Sequence, residues 1–223
     1  MEFVQLQINY AAWEDEKVQS RRCYEVARKY GKPVIVMEPV KGGSLVNLPE
    51  EADRVFRALN GGSNASYALR FAAGFPNMAM VLSGMSDMAQ MEDNLSSMRD
   101  FVPLNEAEHA AVRKVCGIFR SLNLIPCTAC RYCFECPKGI QIPEIFAVYN
   151  NAAAENRLPL TVGHTEEEFA ACKAAFIAEY DAIPAEAQAH NCVNCGKCKE
   201  VCPQSIDIPR KLREIAGMVD RIR

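Results

Sequence analysis

The first hundred or so positions alternate short strand-like runs with longer stretches of helical period. In "EFVQLQIN" (2–9), Val4, Leu6 and Ile8 fall on one face and Phe3, Gln5 and Gln7 on the other, which predicts a strand. "DEKVQSRRCYEVARKYGK" (15–32) predicts a helix capped by Asp15, with Val18, Cys23, Val26 and Ala27 as its apolar stripe and Gly31 at its end. "PVIVMEPV" is apolar throughout and of strand length, as expected of a parallel strand buried on both faces. A short helix is expected over 50–59. Ser63 caps the next helix, "NMAMVLSG" forms a third strand, and Ser86 caps "DMAQMEDNLSSMRD". Methionines 78, 80, 85, 88, 91 and 98 are expected to fill core and helix positions. Such alternation predicts βαβ units in a parallel sheet.

From "LNEAEHAAVRKVCGIFRSL", capped by Asn105, the pattern becomes helical and no further strand alternation appears. Helices are expected at "PEIFAVYNNAAAEN", which has Pro143 in its first turn, at "EEEFAACKAAFIAEY" and at "PRKLREIAGMVDRIR", which opens on Pro209. "NRLPLTVGHT" reads as a linker. A boundary within 121–125 divides the chain into units 1–122 and 123–223.

Composition is that of an ordinary soluble domain, 49% apolar and 24% charged, with a net charge of −3. This balance gives no reason to expect a nucleic-acid surface, and no apolar run approaches the ~20 residues of a membrane helix. The first residues lack a secretory pattern. Eleven cysteines are then read as reduced thiols in a cytoplasmic protein. Three of them, Cys23, Cys116 and Cys172, stand alone in helical stretches and are expected to be buried apolar positions. His164 and His190 are read as solvated loop residues.

The remaining eight form two phrases, "CTACRYCFECPKGIQIP" and "CVNCGKCKEVCPQSIDIP". Each has Cys-x-x-Cys-x-x-Cys, a further Cys-Pro, then Ile-x-Ile-Pro opening a helix, so the unit is an internal repeat suggesting a pseudo-twofold module. Three thiolates at this spacing reach one small cluster, and the trailing Cys-Pro is the bacterial pattern for [4Fe–4S] ligation, in which the fourth cysteine of each run serves the other cluster. That pattern assigns Cys127, Cys130, Cys133 and Cys202 to one cluster and Cys192, Cys195, Cys198 and Cys136 to the second. Structural zinc on four thiolates per site is the alternative. The long helical spacer between the phrases makes this half resemble the α-helical two-cluster ferredoxin domains.

The first half carries a second resemblance. "FVQLQINY", "PVIVMEPVKGG", "SYALRFAAGFPN", "VLSGMSDMAQMEDNL" and "PLNEAE" resemble the aldo/keto reductase family, in particular bacterial members with a C-terminal ferredoxin domain. The resemblance implies an α/β partial (β/α)8 barrel, its last three βα units, followed by an all-α ferredoxin-like domain. It also implies an NAD(P)-dependent oxidoreductase. Gln5 matches the glutamine that meets the nicotinamide. The loops at 38–43 and 83–86, with Ser83, Gly84 and Met85, match those that hold the phosphates, and Asp93 and Asn94 match the pair that meets the adenine. Against this, Gln5 could fill a polar barrel layer, and Asp93 and Asn94 could be a solvated helix face. The family's catalytic Asp, Tyr, Lys and His lie on strands without a counterpart here; Tyr10, Lys41 and the three histidines do not match them. Residues 81–92 hold no Lys or Arg to clamp a 2′-phosphate, which leaves NADP against NAD open. The implied partners are a redox protein and a missing N-terminal barrel half or dimer partner. The alternative to an iron–sulfur oxidoreductase is a non-catalytic electron-transfer module with a docking remnant.

Overall fold

A computed structural model describes residues 1–59, 61–122, 124–160 and 164–223. Contacts divide the chain into two compact units, Met1–Ser121 and Leu122–Arg223, each with its own apolar core. Position 123, inside the expected boundary, and positions 161–163, inside the expected linker, lie outside the described residues.

The first unit runs β1 (Val4–Gln7), α1 (Ser20–Lys29), β2 (Val34–Met37), α2 (Glu50–Arg57), α3 (Asn64–Ala73), β3 (Met78–Val81), α4 (Met88–Arg99) and α5 (Glu106–Ser121). The strands form an open, wholly parallel sheet in the order β1-β2-β3. Val4 pairs with Val34 and Leu6 with Val36, so the apolar alternation of β1 is in step with β2. A register shift beside Ile35 sets it opposite Met80. One sheet face carries Val34 and Val36, both fully buried, and packs on Tyr24, Tyr67, Phe71 and Val112 from the helices. Three parallel βα units are fewer than the eight that close a (β/α)8 barrel, so the sheet stays open.

Several expectations are corrected. Asp15 caps a turn rather than a helix, accepting from the Lys17 and Val18 amides at 2.8 and 3.0 Å, and α1 starts at Ser20. The buried stripe of α1 is Ser20, Tyr24 and Ala27, whereas Cys23 and Val26 are exposed. Moving the helix start past that turn left the stripe to be set by which side chains meet the sheet, and the large Tyr24 ring took the core position. β2 is buried on one face alone, with Met37 exposed, because no helix among the described residues covers the face that also carries Gln5 and Met80. Asp87, one residue past Ser86, is the N-cap of α4, accepting from the Gln90 amide at 2.9 Å. No residue of α4 is fully buried. Met80, Met85, Met88 and Met91 are exposed, so these methionines are surface rather than core.

Elsewhere local chemistry acts as expected. Ser63 accepts from the Ser66 amide. Asn105 and Glu108 cap α5 reciprocally, each side chain accepting from the other's amide at 2.9 and 2.8 Å.

The second unit contains no strand among its described residues. Its helices are α6 (Ile142–Ala154), α7 (Glu166–Asp181), the single-turn α8 (Lys197–Glu200) and α9 (Ile208–Ile222), joined by short 3-10 turns. Thr165 and Glu168 form a capping box at α7. The core gathers Phe146, Phe176, Tyr180, Leu212, Ile215 and Val219, all at 2% exposure or less. His190 is exposed, as expected, and its ring is tied, lying 2.8 Å from the Asp220 carboxylate and 3.4 Å from the Tyr180 hydroxyl.

Candidate functional site

The two cysteine phrases fold alike. The second residue after the leading cysteine is left-handed in both, Ala129 (φ 53°) and Asn194 (φ 55°). The residue after the second cysteine is left-handed too, Arg131 (φ 63°) and Gly196 (φ 82°). So is the third residue after each Cys-Pro cysteine, Gly139 (φ 62°) and Ser205 (φ 52°), whose amides return to the Cys136 and Cys202 carbonyls at 2.9 and 3.0 Å. Non-glycine residues adopt this conformation at a cost of about 1–2 kcal/mol each. Alternating left- and right-handed residues aim successive amides into one concavity, a geometry recurrent at anion and iron–sulfur sites. The Ile-x-Ile-Pro segments then open α6 and α9 at matching points.

The loops bring distant thiols together. Cys127, Cys130, Cys133 and Cys202 line one pocket, walled by Ile142, Pro143, Phe146, Ile206 and Ile208. Burial pushes the Cys127 thiol up to about 11, and Cys133, Cys130 and Cys202 push it in the same direction. Burial also raises Cys133. Cys198 is pushed up to about 11 by burial and then by Cys192, Cys136, Cys133 and Cys195. Cys202 thus stands among the three thiols of the first phrase, and Cys136 lies near Cys198 of the second as well as Cys133 of its own. Thiols held neutral by burial and mutual repulsion are a donor set that a cationic centre would convert to thiolates. Thr128, at the first pocket, has a buried hydroxyl without a hydrogen-bond partner. The residues present therefore fit a sulfur-rich group. Among the described residues no three His, Cys, Asp or Glu side chains converge tightly enough for a single metal ion; the thiols ring a pocket rather than a point.

Of the lone cysteines, Cys116 is buried, its thiol donating to the Tyr10 carbonyl at 3.3 Å. Cys172 is half-buried and Cys23 exposed.

In the sheet unit a cavity of about 520 Å³ opens at the ends of β2 and β3. Its wall brings together Ser83, Gly84, Asp93 and Asn94 with Glu38, Gly42, Gly43, Ser86 and Gln90. Asp93 and Asn94 are tied inward rather than solvated. The Ser63 hydroxyl donates to the Asp93 carboxylate at 2.6 Å, and the Asn94 amide donates to Ser83 Oγ at 2.9 Å. The N-terminal ends of α3 and α4 contribute Ala65 and Gln90 to the wall; their dipoles favour an anion, against the Glu38 and Asp93 carboxylates of the same wall. Gln5 is exposed on the open face of β1 and Met85 is 41% exposed; neither belongs to the cavity wall.

Sequence reasoning missed Asn47, Ala65 and Gln90, which reach the cavity from loops and helix starts. Only the Asp87-x-x-Gln90 spacing hinted at one of them. It also missed Asn9, fully buried, which accepts from the Ala12 amide at 2.8 Å and donates to the Glu38 carbonyl at 3.0 Å, tying the β1 and β2 loops together. Tyr10 is a core residue, edge-on to Phe56 and Phe71, and burial drives its hydroxyl far above the usual tyrosine range. Lys41 is buried, and loss of hydration pulls its ammonium down against Asp15 and Glu38.

Comparison with known proteins agrees with this division. The aldo/keto reductase family profile matches residues 1–116, and that of the 4Fe-4S dicluster domain matches residues 126–206. No curated protein and no solved structure matches the chain. The dicluster domain implies two [4Fe–4S] clusters. No helix among the described residues is long and apolar enough to cross a membrane. The chain belongs to the aldo/keto reductase family, its sheet unit a partial barrel followed by a 4Fe-4S dicluster domain, and it is in general terms an electron-transferring oxidoreductase.

Proposed function

We propose that the helical unit holds its two [4Fe–4S] clusters by exchanged ligands, and that the sheet unit binds a nicotinamide dinucleotide. One cluster takes Cys127, Cys130, Cys133 and Cys202, the other Cys192, Cys195, Cys198 and Cys136. The observation that carries this reading is the presence of Cys202 in the pocket wall of the first phrase. When bound, such a group accepts and releases single electrons, whereas nicotinamide exchanges hydride. The chain's own part is to present buried thiols, aim the amides of the left-handed residues at them, and exclude water with Ile142, Phe146, Ile206 and Ile208. A redox partner protein supplies or removes the electrons.

In the cavity, Ser83 and Gly84 and the amide-rich starts of α3 and α4 meet the pyrophosphate, and Asp93 and Asn94 meet the adenosine. Gln5 meets the nicotinamide from β1. The charged residues of the wall are Glu38 and Asp93. Lys41 offsets the Glu38 charge, whereas the Asp93 carboxylate repels a 2′-phosphate, so the cavity takes NAD(H) ahead of NADP(H).

Anaerobic purification with iron, zinc and acid-labile sulfide analysis tests the first half. About 8 iron and about 8 sulfide per chain are expected for two clusters; about two zinc without sulfide would leave a structural metal domain. Fluorescence titration with NADH and NADPH tests the second half. Binding of neither removes the dinucleotide from the reading.

A further inference from the structure

The two phrases share cysteines, left-handed turns and the following helices, yet they differ immediately after the leading cysteine. The first phrase has Thr128, the second Val193. Thr128 is 7% exposed and lines the pocket with Cys127, Cys130, Cys133 and Cys202, and its hydroxyl is buried without a partner. Val193 is 56% exposed. The residue two past the Cys-Pro cysteine repeats the contrast. Gln204 is 6% exposed and lines the first pocket, whereas its counterpart Lys138 is exposed.

A buried hydroxyl without an acceptor costs about 1–3 kcal/mol, and native structures rarely leave one so. The thiolate and sulfide sulfurs of a cluster are acceptors, and the potential of such a cluster rises with hydrogen bonds to its sulfurs. The reason is electrostatic: reduction adds one negative charge, which a donor stabilises more strongly than the oxidised form. Exposure does not offset this contrast among the ligands, since each set has one exposed and three half-buried cysteines.

We propose that the Thr128 hydroxyl donates a hydrogen bond to the sulfur of the cluster in its own pocket, so that the two clusters of the pseudo-symmetric pair differ in potential, the Thr128 side being the higher. One electron enters that cluster from a one-electron donor, with no bond made or broken. This rests on the ligand assignment proposed above. The pair is then an ordered one, in which the electron settles on the Cys127 side.

Thr128→Val copies the side chain of the other phrase and keeps nearly the same shape. The test is a dithionite redox titration of the intact, cluster-loaded chain, followed by electron paramagnetic resonance. Thr128→Val should retain iron and sulfide and lower the midpoint of one cluster alone. The reduced-to-oxidised ratio of that cluster at the wild-type midpoint should fall about tenfold, about 59 mV for a one-electron couple. Thr128→Ser should leave both midpoints in place. Unchanged midpoints in a fully loaded Thr128→Val protein, or an equal shift in Thr128→Ser, overturn the proposal. Proton hyperfine spectroscopy after brief transfer into D₂O gives the answer without the valine variant. A fast-exchanging proton coupled to a reduced cluster, kept in Thr128→Ser, supports the bond, and its absence overturns it. Wild-type protein without iron or sulfide overturns the cluster reading itself, which iron analysis separates from a missing shift.

Discussion

The two units close their cores differently. In the sheet unit, side chains pack on one another: Trp13 stacks on Phe75 at 4.4 Å, Phe56 on Tyr67 at 4.3 Å, and Tyr10 meets both Phe56 and Phe71 edge-on. The cavity lies beside that core. In the helical unit the cysteines themselves border the core, with Cys127, Cys133, Cys136, Cys192, Cys198 and Cys202 all packed against it. Both units are held by packing, and the helical unit depends in addition on what its thiols bind, because a group bound only in the folded state contributes its binding free energy to folding.

The largest expected effect separates the two. Anaerobic iron chelation should abolish the cooperative unfolding of the helical unit and leave the sheet unit folded, as read by hydrogen exchange mapped along the chain. Equal protection of both units after chelation would break the comparison. Cys202→Ser should lower bound iron from about 8 to about 4 per chain, with cysteines of the first phrase becoming reactive to thiol reagents. Loss of nothing, or labelling confined to the second phrase, would refute the exchanged ligation.

In the sheet unit the corresponding break is Arg70→Met. Arg70 and Glu108 form a two-point ion pair at 2.6 and 2.8 Å, their side chains only 12% and 9% exposed. Removing one partner strands a buried charge, a loss of about 3–5 kcal/mol in denaturant unfolding. Burial alone would raise the Glu108 carboxyl, but the hydrogen bonds from Arg70 and the Asn105 amide bring it below the ordinary value. Its contribution is therefore fully present above the unfolded glutamate pKa, about 4.3, and is lost as pH falls through the lower folded value. Arg70→Met should flatten this acid dependence.

Smaller effects refine the picture. Asp93→Asn keeps an acceptor for Ser63 and removes one wall charge, so the ratio of NADPH to NADH affinity should rise about tenfold, about 1.4 kcal/mol. No change in that ratio would place the 2′-position away from Asp93. Ala129→Gly should relieve about 1 kcal/mol of left-handed strain in the first cysteine loop. Destabilisation instead would mean that the alanine methyl makes a contact worth more than the strain.

Local chemistry accounts for what was readable in advance. The caps at Ser63 and Asn105, the strands at Val4, Val34 and Met78, and the repeat of cysteines and Ile-x-Ile-Pro all depend on neighbours within a few residues. The misjudged elements depended on distant ones. Asp15 had the composition of a helix cap but formed a turn, and the helix began where Ser20 could donate to the Gln7 carbonyl at 2.7 Å. The stripe of α1 rotated to bury Tyr24, whose hydroxyl reaches the Pro76 carbonyl across 52 positions. The methionines around α4 met no covering element among the described residues and stayed exposed. In the cavity, Asp93 and Asn94 were visible as a pair. Their bonds to Ser63 and Ser83 were not, since these join a helix to residues 30 and 11 positions away.

The sequence by itself determined the two-unit division of character, the parallel βα order and the repeated thiol sets, because periodicity and ligand spacing are properties of short segments. Tertiary structure alone decided which sheet face is covered, which side chains wall the cavity, and that Thr128 turns inward while Val193 faces out. Burial at those positions is set by neighbours far along the chain, and no local pattern encodes it.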